Sequence, residues 1–330
     1  MNPDIDPCVN SEWFAVIAAE SLVPKAPVAT TLAGVRLVLW RSGDGTPHVW
    51  ADQCPHRGAQ LSLGTIVGGT LQCPYHGWRF GPDAQCTHWP AHPNEQPPNI
   101  ARARAYRATE AYGLVWACLG EPAHPLPAFP PYGAPGRRAG IDGPYDVAAC
   151  APRVIENFLD MAHFPFVHAG VLGEVPHTSV VDYEVVVSAT GIETRGCRFR
   201  QPRPSRANPT PGGADVDYTY RVHGPFCGSL SKLPGRPDEF EILMVASPLD
   251  ATHCRVWKVN VFLDTGEEDA RQTLAYSRAA MLQDIPIVES QWPKPLPLDP
   301  RAELHQRADR LAAAYRRWLK DRGWTYGVTP

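Results

Sequence analysis

Two short stretches hold the residue types best suited to chemistry: Cys54-Pro55-His56 and Cys73-Pro74-Tyr75-His76, with sixteen residues between His56 and Cys73. Each offers one thiolate and one imidazole. That set suits a [2Fe–2S] cluster with two cysteines on one iron and two histidines on the other. A structural zinc ion accepts the same residue types. Zinc fingers, however, usually group Cys with Cys and His with His, whereas each half-site here is mixed. Gly58 and Gly77 beside the donors allow tight backbone turns that bring N–H groups toward the cluster sulfurs.

A second set lies in RVIENFLDMAHFPFVHAGVLG, residues 153–173. The pattern from Val154 to Phe164 is helical, and Pro165 should end or kink that helix. Asn157, Asp160 and His163 fall three apart, each about one turn beyond the last; His168 follows past the proline. Burying such groups amid Phe158, Leu159, Met161, Phe164 and Phe166 is costly unless they share a task. Two histidines near a helix end are by themselves more often structure than ligands, but this chain already offers a redox motif upstream. A third segment, GEEDARQTLAYSRAAMLQD (266–284), reads as a helix with acidic residues in its first turn. It puts Asp284 at the helix C-terminus, where the dipole disfavours a carboxylate. A metal would compensate; a solvated aspartate is the other reading.

The elements that must position these groups fit an α+β chain of two domains, for which 330 residues suffice. Short apolar runs (WFAVIAA, VRLVLW, PHVW, AYGLVWACLG) flank the Cys/His loops, with a hairpin at Gly43-Asp44-Gly45, and make residues 1–124 a small β-rich domain. Many of the 36 prolines fall in connections; the run at 121–136 marks the boundary, and 201–214 reads as a mobile loop. Residues 125–330 form the second domain. Six strand-like runs between 178 and 264 predict an antiparallel sheet with one packed face. An amphipathic helix over DPRAELHQRADRLAAAYRRWLKDRGW closes the chain. With 44% hydrophobic and 20% charged residues, and a net charge of −3, nothing argues for nucleic acid or an anionic membrane. No stretch approaches a membrane span, and the N-terminus lacks a signal pattern. Of nine cysteines only Cys54 and Cys73 are in a spaced motif, so reduced thiols in a cytoplasm are expected.

The motifs LSLGTIVGGTLQCPYHGW, ENFLDMAHFPFVH, QDIPIVESQWPK and YRRWL give the chain a resemblance, over nearly its whole length, to the catalytic subunits of Rieske non-haem iron oxygenases. It is most similar to the branch of methylxanthine N-demethylases, with O-demethylases and alkaloid hydroxylases as relatives. Neither half-site has the extra cysteine found in Rieske proteins of respiratory complexes. The resemblance implies an N-terminal Rieske domain followed by a helix-grip catalytic domain. It implies that Cys54 and Cys73 hold the inner iron and His56 and His76 the outer. His163, His168 and Asp284 would form a facial triad on a mononuclear Fe(II), leaving positions open for O₂. Asp160 would bridge His163 to His76 of a neighbouring chain in a head-to-tail homotrimer, and Asn157 would stand close to the iron. No flavin or nicotinamide motif is present, so electrons must come from a separate NAD(P)H-dependent reductase, with or without a ferredoxin.

The implied reaction is monooxygenation of a small heterocyclic or aromatic substrate, with loss of an N- or O-methyl group as formaldehyde. Hydroxylation without carbon loss and ring cis-dihydroxylation are alternatives. A Rieske electron carrier needs only about the first 120 residues, so the remaining chain argues against it. Phe164, Phe226, Leu243, Val245, Leu282 and Ile287 are pocket candidates from position alone, with core packing as the competing role.

Overall fold

The computed structural model describes residues 6–204 and 212–330. The chain divides into two compact units, Met1–Leu126 and Pro127–Pro330. The first holds a one-turn helix, α1 (Pro7–Asn10), and ten strands: β1 (Phe14–Ala18), β2 (Val28–Leu32), β3 (Val35–Arg41), β4 (Pro47–Ala51), β5 (Thr65–Val67), β6 (Thr70–Gln72), β7 (Arg79–Phe80), β8 (Cys86–His88), β9 (Ala105–Ala111) and β10 (Leu114–Cys118). Six form a sheet in the order β1-β10-β9-β4-β3-β2, and β5-β6-β7-β8 form a smaller one. The expected strand at AYGLVWACLG is a turn and a strand, because Tyr112 (φ 57) and Gly113 (φ 74) reverse the chain between β9 and β10. Trp40 and Trp50 pack edge to face with centroids 4.9 Å apart, and Trp50 meets Phe80 at 6.5 Å. This aromatic core, with Leu61 and Leu71, lies directly beneath Cys54 and Cys73.

The second unit runs β11 (Arg137–Val147), α2 (Ala151–Phe158), α3 (Phe164–Val167), β12 (Glu184–Ser188), β13 (Gly191–Arg195), β14 (Cys197–Gln201), β15 (Ala214–Gly224), β16 (Cys227–Lys232), β17 (Phe240–Pro248), β18 (Cys254–Leu263), α4 (Glu267–Ser290), β19 (Leu296–Pro297), α5 (Arg310–Asp321) and β20 (Val328–Thr329). Its main sheet is ordered β11-β18-β17-β16-β15-β13-β12, with β14 also on β15. Gly196, at φ 72, divides GIETRGCRFR into β13 and β14. Strand β11 escapes a pattern reading because Gly140, Gly143 and Pro144 interrupt it. Gly140 has a packing reason: a Cβ there would stand 2.7 Å from Leu274 Cδ1 of α4. Part of the loop expected over 201–214 lies outside the described residues.

Three helices depart from the pattern. The helix expected from Val154 to Phe164 stops at Phe158. The Asp160 carboxylate accepts the backbone N–H of Ala162 (3.0 Å) and His163 (3.1 Å), which turns the chain out of the helix. Pro165 then sits in the first turn of α3, where its missing N–H costs nothing. Helix α4 does not stop at Asp284 but continues to Ser290 with Pro286 inside it. The terminal helix begins only at Arg310, after a capping box between Gln306 and Asp309. Among the described residues, no helix is long and apolar enough to cross a membrane.

Candidate functional site

The two Cys/His half-sites are built alike. Each cysteine accepts the N–H of a glycine four residues on, Gly58 (2.9 Å) or Gly77 (3.2 Å), at its carbonyl. Each cysteine N–H in turn donates to the next carbonyl, Ala59 or Trp78, at 2.8 Å. Both glycines adopt positive φ, 73° and 70°, which other residues rarely adopt. The thiols are buried, at 2% exposure each. Burial above all, with Cys73 alongside, pushes the Cys54 thiol up to about 12, although the amides of His56 and Arg57 pull the other way. Only a metal would ionise it near neutrality. The His56 and His76 rings are 4.5 Å apart, and His56 stacks on Trp78 at 4.5 Å. His56 Nδ1 is buried with no hydrogen-bond partner. These residues fit a cluster that would take up the thiols and this orphaned nitrogen.

The second site gathers side chains from three places. His163 follows the Asp160 turn, His168 ends α3, and Asp284 projects from the middle of α4. His163 Nδ1–H donates to Asp160 Oδ2 at 2.8 Å, and His168 Nδ1–H to Gln283 Oε1 at 2.8 Å. With those protons on the outer nitrogens, both Nε2 atoms present lone pairs, 3.2 Å apart. Asp284 Oδ1 stands 3.2 Å from His168 Nε2 and 3.5 Å from His163 Nε2, and accepts no hydrogen bond. Three lone pairs thus converge with no proton between them, an arrangement a cation would stabilise. Without one, burial lowers the His168 pKa, but Asp284 and Gln283 outweigh it and raise the value overall. At Asp160, burial acts upward, yet His163 and the turn amides hold the carboxyl below its usual range.

Among the described residues, only His163, His168 and Asp284 bring three such donors within 4.8 Å of one another. The Cys54–His56–Cys73–His76 set does not converge in that way. It suits two ions sharing four ligands better than one zinc.

A cavity of about 560 Å³ opens onto the three donors, a size suited to a small ligand. Asn157 and Phe164 line it. The sheet supplies one wall through cross-strand rows: Tyr218–Lys232–Phe240 and Tyr220–Leu230–Ile242, with Met244–Lys258 at the end near the donors. Five pocket expectations are corrected. Leu243 and Val245 occupy the alternate positions of β17, so they face away from Ile242 and Met244 and pack in the core. Phe226 packs edge-on against Trp324 at 5.1 Å. Leu282 and Ile287 lie on the outer side of α4, 50% and 46% exposed. The sequence reading also missed Gln283, which holds His168, and Lys258. Lys258 and Asn260 stand two apart in a strand of apolar residues, a signal that was available.

Two mixed-donor loops on a β-rich domain, followed by a two-histidine, one-carboxylate site over an apolar cavity, define a Rieske-type oxygenase. Residues 12–109 match the Rieske [2Fe-2S] domain family, and residues 147–322 the vanillate O-demethylase oxygenase C-terminal domain. The chain belongs to this family: it is an O₂-dependent oxidoreductase with a Rieske cluster and a mononuclear iron. It is 32% identical to methylxanthine N1-demethylase NdmA of Pseudomonas putida, over 89% of this chain and 82% of that protein. It is 39% identical to the probable methylxanthine N7-demethylase NdmC of Pseudomonas sp. strain TJI-51, over 66% of this chain and 78% of that one. The structure of P. putida NdmA with caffeine superimposes with a TM-score of 0.82 at 28% identity, covering 96% of this chain and 92% of the other.

Proposed function

We propose that the chain is the oxygenase component of a demethylase, acting on an N- or O-methyl group of a small heterocyclic or aromatic molecule. Convergence of His163, His168 and Asp284 at an aromatic-lined cavity is the observation that carries this reading. In it, these three residues hold the iron, Cys54, His56, Cys73 and His76 hold the cluster, and Asp160 and Gln283 fix the two triad imidazoles. When bound, the iron supplies O₂-dependent oxidation of a C–H bond. One O₂, two electrons and two protons convert N–CH₃ to N–CH₂OH and water; loss of formaldehyde then leaves N–H. Phe158, Phe164 and Tyr220 line the cavity with the three donors, and their rings would keep water from the reacting carbon. Asn157, also in the wall, orients the substrate by hydrogen bonding.

Electrons come from a separate reductase. A P. putida oxidoreductase, NdmD, shares 37% identity over 34% of this chain, 19% of its own length. The functional unit in this reading is a head-to-tail trimer in which Asp160 links His163 to a neighbour's His76. Exposed apolar side chains on the catalytic unit, Phe166, Leu282, Ile287 and Trp292, support a covered face. Nine cysteines without a spaced disulfide framework suit a cytoplasmic setting. The test is turnover with a surrogate reductase and a panel of N- and O-methyl heteroaromatics. Stoichiometric formaldehyde and demethylated product are expected; a product that keeps its carbon and gains one oxygen would replace demethylation by plain hydroxylation.

A further inference from the structure

Two lysines line the cavity, and their surroundings differ. Lys258 is partnered within the protein: its ammonium donates to Ser277 O at 2.6 Å and Ser277 Oγ at 2.9 Å and forms an ion pair with Asp142 Oδ2 at 2.8 Å. Lys232, at the end of β16, is equally inside the fold at 9% exposure. Its strand partners are Tyr218 and Phe240, and its side chain enters the same cavity. No hydrogen bond or ion pair joins Lys232 to any described residue. The charge of Asp238 reaches it only at longer range, and that carboxylate has Arg236 Nε at 3.4 Å. Arg203, Asp238 and Asp269 also line the cavity, but none of them bonds Lys232, and a buried ammonium without a direct partner is destabilising, so its presence in a ligand cavity calls for a ligand that completes it.

The sheet register gives its place. Lys232 belongs to the Tyr218–Lys232–Phe240 row, two rows from the Met244–Lys258 row. Two rows are four residues along a strand, or about 13 Å. Lys232 is thus rooted at the end of the wall remote from the Met244–Lys258 row.

We infer that Lys232 is a specificity-determining residue that binds an anionic oxygen at the end of the substrate remote from its methyl group. This rests on the demethylase reading and narrows it to methylated aromatic or heteroaromatic acids. Burial pulls the Lys232 ammonium down to about 8, which leaves it mostly charged at neutral pH. Three free donors suit a carboxylate, and a charge-assisted bond to a buried ammonium is stronger than one to a neutral amide.

The experiment is calorimetric titration of the holoenzyme, Lys232→Met and Lys232→Arg with two matched pairs. These are 4-methoxybenzoate against 4-methoxybenzamide, and 1-methylimidazole-4-carboxylate against its primary amide. In at least one pair the acid should bind about tenfold tighter than the amide. That preference should shrink to within about twofold in Lys232→Met and persist in Lys232→Arg. Amides binding as well as acids, acids that fail to bind at millimolar concentration, or a preference unchanged in Lys232→Met would overturn the assignment. Ligand-free Lys232→Met should also melt at or above the parent temperature; a lower value would mean that the ammonium has a partner inside the protein, which contradicts the inference. Formaldehyde release separates the two readings. A Lys232-dependent acid preference without formaldehyde sinks demethylation alone, and formaldehyde from neutral substrates with Lys232→Met unimpaired sinks the lysine's role alone.

Discussion

Asp160 and Asp284 both lie within reach of His163, yet their surroundings give them different work. Asp160 accepts three hydrogen bonds, from the Ala162 and His163 amides and from His163 Nδ1, and so fixes which imidazole nitrogen carries the proton. Asp284 presents an oxygen that accepts no hydrogen bond. Asp160→Asn should therefore keep the fold and the cluster spectrum while slowing electron arrival at the mononuclear site by about tenfold or more. Stopped-flow oxidation of the pre-reduced cluster, with substrate and O₂ present, would measure it; unchanged kinetics would leave Asp160 a local orienter. The donor residues were legible because thiolates and imidazoles in a mixed repeat have few other uses. The turn at Asp160 was not, because three-residue spacing fits a continuous helix as well as a side chain that ends one.

Helix α2 leads straight into that turn, and a buried ion network anchors it. Arg316 of α5 bonds Glu156 at 2.5 Å and Glu303 at 2.6 Å, while Arg153 bonds Glu303 at 2.7 Å. Removing the buried shared cation leaves two half-buried carboxylates short of a partner, so Arg316→Met should cost about 3 kcal/mol and weaken iron retention before cluster retention. Urea midpoints and iron assays would show this; a loss below about 1 kcal/mol would mean that the network is solvated. Burial, aided by Arg221, also holds His223 of β15 down at about 4, against its usual 6.5. The unfolded imidazole takes its proton near 6.5 and the folded one only near 4. Stability from this residue is therefore complete above pH 6.5 and falls by up to about 3 kcal/mol on descending to pH 4. His223→Gln should flatten that part of the curve in denaturant titrations at pH 7 and 4.5. At this scale the pattern supplied the period but not the phase. Alternation in EFEILMVASPL marks a strand, but nothing local says whether Ile242 and Met244 or Leu243 and Val245 face the cavity. Strand β11 was hidden because Gly140 answers to Leu274 of α4, and Gly143 to a positive φ against β18, rather than to strand propensity.

For the whole molecule, the trimer reading makes the donor and the acceptor of each electron different chains. His76→Cys should take the cluster out of the relay by making it more negative and harder to reduce, and Asp284→Ala should disable the iron site. Co-expressed and purified as verified mixed trimers, the two variants should recover measurable product, since an Asp284→Ala chain can still serve a neighbour with an intact iron site. Recovery absent from such trimers, or a protein that sediments as a monomer, would remove the assembly from the account. The most direct measurement of the central claim is the ratio of iron to acid-labile sulfide after anaerobic loading with Fe(II). A Rieske cluster together with a mononuclear site predicts three irons and two sulfides per chain, falling to two and two in Asp284→Ala with the cluster spectrum intact. Two irons per chain in the parent protein, or three retained in Asp284→Ala, would contradict it.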